Sequence, residues 1–137
     1  MIETNQLDVA IGHFNAGAYR DALLGFEALW HAERSDLLKA LVQLSNALNQ
    51  LRLGMATSPR FLLERASALL EPYPAAAVGL DLAALRATIA ALRAAIPPDA
   101  VTGEHHIAWE TLPPARLLRC ANQTAADGWE LAPPADR

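Results

Sequence analysis

Five stretches of the chain repeat apolar residues at helical spacing, and each closes on a stop signal. The first runs from about Thr4 to Ala16, with Leu7, Ile11 and Phe14 at i, i+4 and i+7 and Gly17 suited to a left-handed cap. The second runs from about Tyr19 to Glu33 on a broad stripe of Tyr19, Ala22, Leu23, Phe26, Leu29 and Trp30. Gly25 lies inside it at a cost of up to ~1 kcal/mol against alanine, which points to a close helix crossing. The third is the longest: Ser35 as N-cap, Asp36 at the positive helix end, Leu38, Leu41, Leu44, Leu48 and Leu51 as buried face, and Gly54 as stop. The fourth is expected to open on Ser58-Pro59, to carry Phe61, Leu62, Leu69 and Leu70, and to stop at Pro72 and Pro74. The fifth opens on Asp81 and places Leu82, Leu85, Ile89, Leu92 and Ile96 at 3, 4, 3, 4 spacing before Pro97-Pro98.

Periodicity then fades. Six of the nine prolines fall between Pro97 and Pro134, with Trp109 and Trp129 among them and room for one short helix from about Pro114 to Ala121. The pattern therefore predicts an all-α, mostly antiparallel bundle of about five helices over residues 1–98. An irregular proline-rich tail over 99–137 follows, partly docked or disordered; its two tryptophans favour docking. A chain of 137 residues fits one domain, and its 14.7 kDa bury about two-thirds of the unfolded surface.

Composition narrows the function more than it defines it. The net charge is -4, and no Lys/Arg cluster is dense enough to follow a phosphate backbone, so nucleic acid is not an expected partner. No window approaches the ~20 apolar residues of a membrane span. The start Met1-Ile2-Glu3-Thr4-Asn5 lacks a basic and apolar leader, and Cys120 stands alone, so a soluble protein of the reducing cytoplasm is expected.

The run Phe14-Asn15-Ala16-Gly17-Ala18-Tyr19 to Trp30, with Ala22 and Glu27, resembles the domain of unknown function 309 family, small all-helical prokaryotic proteins. Leu41, Val42, Gln43 and Ala47, then Leu62, Leu63, Ala66 and Leu69, then Gly79-Leu80-Asp81-Leu82 continue the likeness over roughly Gly12 to Ile96. The resemblance implies a helical fold but no established activity. It also implies a polar centre between the second and third helices that this chain has largely lost. The family's adjacent histidine and glutamate are Leu23 and Leu24 here, a later histidine is replaced by Asn49 or Gln50, and Met55 stands for an asparagine. Gly17 to Ala22 with Phe26 is also similar to the second helix of a tetratricopeptide repeat, but no second copy follows.

What remains polar there is Glu27, beside the apolar stripe, and Gln43, Asn46 and Gln50, which share one face of the third helix. Turned inward, they would form a carboxylate-and-amide site for a small polar ligand. The commoner role of such a face is a solvated stripe, or a satisfied buried network that fixes helix register. Phe14, Tyr19, Phe26 and Trp30 are expected in the core. No metal site is expected: His13 and His31 are isolated, and His105-His106, though near Glu104 and Glu110, point apart if extended. Cys120 beside Arg119 has no identifiable base, and no glycine-rich phosphate loop exists, so neither a catalytic residue nor a cofactor is assigned. The leading expectation is a non-catalytic structural or protein-interaction domain with an unknown protein partner. The alternative is a polar-ligand protein or enzyme using Glu27 and Gln43. A homodimer is also expected through the fifth helix, where Ala83, Ala87, Ala90 and Ala94 form a second smooth row.

Overall fold

The longest apolar pattern becomes the most extensively buried helix of the bundle. The computed structural model describes residues 4–104 and 107–119. It contains α1 Thr4–Asn15, α2 Tyr19–Ala32, α3 Asp36–Arg52, α4 Thr57–Leu70 and α5 Leu82–Ala95, so the architecture is an all-α bundle. Consecutive helices pack on one another. Leu37, Leu38, Ala40, Leu41, Val42, Leu44, Ser45, Ala47, Leu48 and Leu51 of α3 are all buried, an arc covering more than half of its circumference. Lys39, Gln43, Asn46 and Gln50 form a half-buried strip, with the half-buried Asn49 to one side of it.

Two devices fix the start of α3. The Ser35 hydroxyl accepts from the Leu38 amide at 3.1 Å, as the sequence predicts. The Tyr73 hydroxyl, from the turn that follows the fourth helix, accepts from the Leu37 amide at 3.0 Å. Together they satisfy two of the amides that a helix start leaves without intrahelical partners. Gly25 stands where α1 crosses α2. A Cβ there would lie 3.0 Å from that of Ala10, so an alanine would need the two helices to give by a few tenths of an ångström.

The fourth helix departs from expectation. It begins at Thr57, with Ala56 in the cap position and Pro59 buried in the first turn, so Ser58 is not the N-cap. The cap comes from distant sequence: the Thr102 hydroxyl accepts from the amides of Ala56 at 2.8 Å and Thr57 at 3.1 Å. In return the Thr102 amide donates to the Thr57 hydroxyl at 3.0 Å. At the other end the Arg86 guanidinium of α5 donates to the carbonyls of Leu70, at 2.7 Å, and Tyr73.

Between α4 and α5 lies a hairpin that the helical pattern did not predict: β1 Ala76–Ala77 pairs antiparallel with β2 Leu80–Asp81. Val78 and Gly79 form its turn with φ of 47° and 78°, the double left-handed geometry that matches strand twist. A β-branched residue there costs roughly 1–2 kcal/mol. The fully buried Val78 side chain offsets this with the 1.5–3 kcal/mol typical of burying such a residue. Asp81 then caps α5, accepting from the Ala84 amide at 3.0 Å. Leu82, Leu85, Ile89, Leu92 and Ile96 are buried in the chain's own core, while Ala83, Ala87, Ala90 and Ala94 of α5 face outward or lie at its surface.

Among the described residues from 99 to 119 the chain is irregular but packed. Ala100 and Leu117 are buried, and Ile107, Trp109, Leu112 and Ala115 rest against the core. A short 3-10 turn forms at Trp109–Thr111. The expected helix from Pro114 does not form through Arg119: the segment is extended, its backbone held by Asn15 and bridged to Leu80. Residues 120 and 121 of that expected helix lie outside the described residues, as do His105-His106, Cys120 and Trp129.

The reciprocal bonds of Thr102 generate a test. Thr102→Val keeps the shape but removes the acceptor for two helix-start amides, so urea unfolding should show a loss of about 1–2 kcal/mol, the scale of a missing N-cap. A change within ~0.3 kcal/mol would mean that water replaces the hydroxyl without penalty.

Candidate functional site

The polar strip of α3 runs between two half-buried apolar rows, Leu23 and Trp30 of α2 on one side and Leu62 and Leu69 of α4 on the other. Helix geometry sets this order. Gly25 faces α1, so Leu23 and Trp30, more than 100° away around α2, lie on its opposite edge. The Lys39 ammonium, 4.3 Å from the centre of the Trp30 ring, ties that edge to the strip. The Arg34 guanidinium also lies 4.3 Å from the ring. Trp30 is thus a rim residue, packed against the core and covered by two cations, whereas Phe14, Tyr19 and Phe26 are buried.

The sequence-predicted ligand residues are placed as follows. Glu27 is exposed, one step outside the α2 edge. Gln43, Asn46 and Gln50 are half-buried on the strip, and the Gln50 amide donates to the Asn46 carbonyl oxygen at 3.1 Å. The Gln50 Oε1 is buried without a hydrogen-bond partner. The strip lines none of the three clefts described below, and these polar groups share one helix face. Leu24, next to Leu23 on α2, is half exposed. Ser45, fully buried, donates to the Leu41 carbonyl of its own helix at 2.8 Å. Among the described residues, no three His, Cys, Asp or Glu side chains converge in a way that could hold a metal ion.

Three clefts were not legible in the sequence. One, of about 570 Å³, lies between α4 and α5 and is lined by Arg60, Glu64, Ala90, Arg93, Ala94 and Ile96. A second, of about 410 Å³, opens at the start of α4 between Met55, Ser58, Phe61, Leu62, Arg65 and Thr102. Its floor is apolar, Phe61 is 57% exposed, and Arg65 is its one charged lining residue. The third, of about 400 Å³, lies where residues 109–116 cross Asn15, Tyr19 and Leu48.

That third cleft is bordered by residues of the turn between α1 and α2. Asn15 acts as a clamp: its amide donates to the Leu117 carbonyl at 3.0 Å, and its oxygen accepts from the Leu117 amide at 2.8 Å. Tyr19 meets Phe14 and Trp109 edge to face, with ring centres at 5.3 and 5.8 Å. Here Asn15, Tyr19 and Phe14 hold the later part of the chain onto the bundle. Gly17, at φ +82°, turns the chain between them, and its carbonyl accepts from Arg52.

Burial pushes the Tyr19 phenol above its ordinary range, partly opposed by the Arg52 guanidinium beside it. A raised folded-state value leaves stability intact below the unfolded value of about 10 and erodes it as pH rises through the folded value. Urea-derived stability should therefore fall above about pH 10 by a component that Tyr19→Phe removes. An alkaline limb of equal slope in Tyr19→Phe would assign the loss to other groups.

No helix among the described residues is long and apolar enough to cross a membrane. Comparison with protein families, curated proteins and solved structures finds no match to this chain.

Proposed function

We propose that the chain is a non-catalytic protein-interaction domain, a member of the domain of unknown function 309 family whose polar centre has been replaced by apolar residues. The carrying observation is the character of the interior: among the described residues Ser45 is the one buried polar side chain outside the tyrosines, and its own helix uses it. Acid–base chemistry at neutral pH usually draws on burial or close charges to tune a catalytic group. Apolar side chains meanwhile reach the surface at Leu24, Leu53 and Phe61, the kind of exposure that marks interaction surfaces when it is clustered. Self-association through the surface alanine row of α5 belongs to the same reading, as does a cytoplasmic setting.

The competing reading keeps the amide strip as a polar-ligand site, and the unpartnered Gln50 Oε1 favours it. A thermal-shift panel of amino acids, sugars, nucleosides and small carboxylates separates the two. A true ligand at a hundred times its Kd would stabilise the fold by about 2.7 kcal/mol, a shift on the order of 10 °C. The interaction reading predicts no such shift, together with a cross-linked partner in the source cells that Leu24→Glu or Phe61→Ser abolishes. A ligand whose shift disappears in Gln43→Ala and Glu27→Gln would overturn it.

A further inference from the structure

The cleft at the start of α4 has an apolar floor and one cation. Met55, Phe61 and Leu62 line it beside Arg65, and no acidic residue does. The Arg60 guanidinium, which donates to the Pro98 and Ala100 carbonyls in the neighbouring cleft, lies 4.9 Å from the Phe61 ring centre, and the positive end of the α4 dipole lies at this cleft. The complementary occupant is a short segment bearing a large apolar side chain flanked by carboxylates.

The chain contains such a segment. Residues 120–137 hold Asp127-Gly128-Trp129-Glu130-Leu131, and Arg137 is the one Lys or Arg among them. We propose that the cleft is filled by this segment of the same chain, with Trp129 and Leu131 against Phe61 and Leu62 and an acidic neighbour at Arg65. This goes beyond the interaction reading: it gives the surface an internal occupant that an outside partner must displace.

Reach permits it. Arg119 is held at the hairpin end of the bundle by its bridge to Leu80 and its ion pair with Asp8. The fourteen residues of α4 span about 21 Å, and the ten residues from 120 to 129 extend to about 33 Å. A second copy is the poorer occupant. Two such clefts facing across a two-fold axis would oppose cations with no acid from either lining. A single indole, which buries 150–250 Å², suits a recess of about 410 Å³.

Disulfide trapping in the full-length chain tests the proposal. In a Cys120→Ser background, Ser58→Cys is paired with Ala132→Cys, and Ala90→Cys with Ala132→Cys serves as control; circular dichroism verifies the fold of each. At low micromolar concentration the Ser58 pair should close within one chain at least ~10-fold faster than the control, because docking raises the local thiol concentration. Trp129→Ala should return the rate to that of the control. Equal rates in the two pairs, or indifference to Trp129→Ala, would overturn the proposal. So would a cross-link that forms mainly between chains, which would assign the cleft to a second copy.

Discussion

Everything in the molecule depends on the burial of α3. Ten of its seventeen residues are buried, and replacing any one of its core leucines by alanine would remove roughly 2–5 kcal/mol, a large share of a typical domain's stability. A helix so enclosed needs neighbours on several sides. Short connections deliver α2 and α4 directly, and α1 reaches the layer by crossing α2 where Gly25 and Ala10 nearly touch. The strip that remains, Lys39 to Gln50, is polar and half-buried.

The packed arrangement is completed by sequence that lacks helical period. Thr102 caps α4, Leu117 pairs with Asn15, and Trp109 rests on Tyr19. Each contact joins residues at least 45 positions apart, apart from the shared dependence of all three on the same closing segment. The bundle's two ends are therefore closed differently. Thr102 serves the end where α4 starts, while Tyr73 and Arg86 serve the hairpin end, one satisfying an amide of α3 and the other the last carbonyls of α4.

Helix positions were legible because burial and the 3.6-residue period act on the same side chains: Leu38 through Leu51 declare a buried face without reference to anything else. The caps at Ser35 and Asp81 were legible for the same local reason. The Thr102 cap was not, because its partner lies 45 residues away and Ser58-Pro59 offered a locally plausible start. The hairpin escaped notice because two-residue strands show no alternation, and a buried valine with positive φ contradicts its own propensity. For the candidate site, the shared face of Gln43, Asn46 and Gln50 followed from spacing, but spacing carries no information about depth. The clefts depend on residues from separate elements, so no local pattern announces them.

An apolar interior enclosing α3, in which Ser45 is the one buried polar side chain of that helix, is the physical basis for reading this chain as an interaction domain. Native-state hydrogen exchange examines that basis directly. The account predicts that the amides of Leu41 to Leu48 exchange only through global unfolding, with an opening free energy equal to that measured by urea. Opening of these amides at about 2 kcal/mol or more below the global value, while those of α5 stay protected, would contradict it.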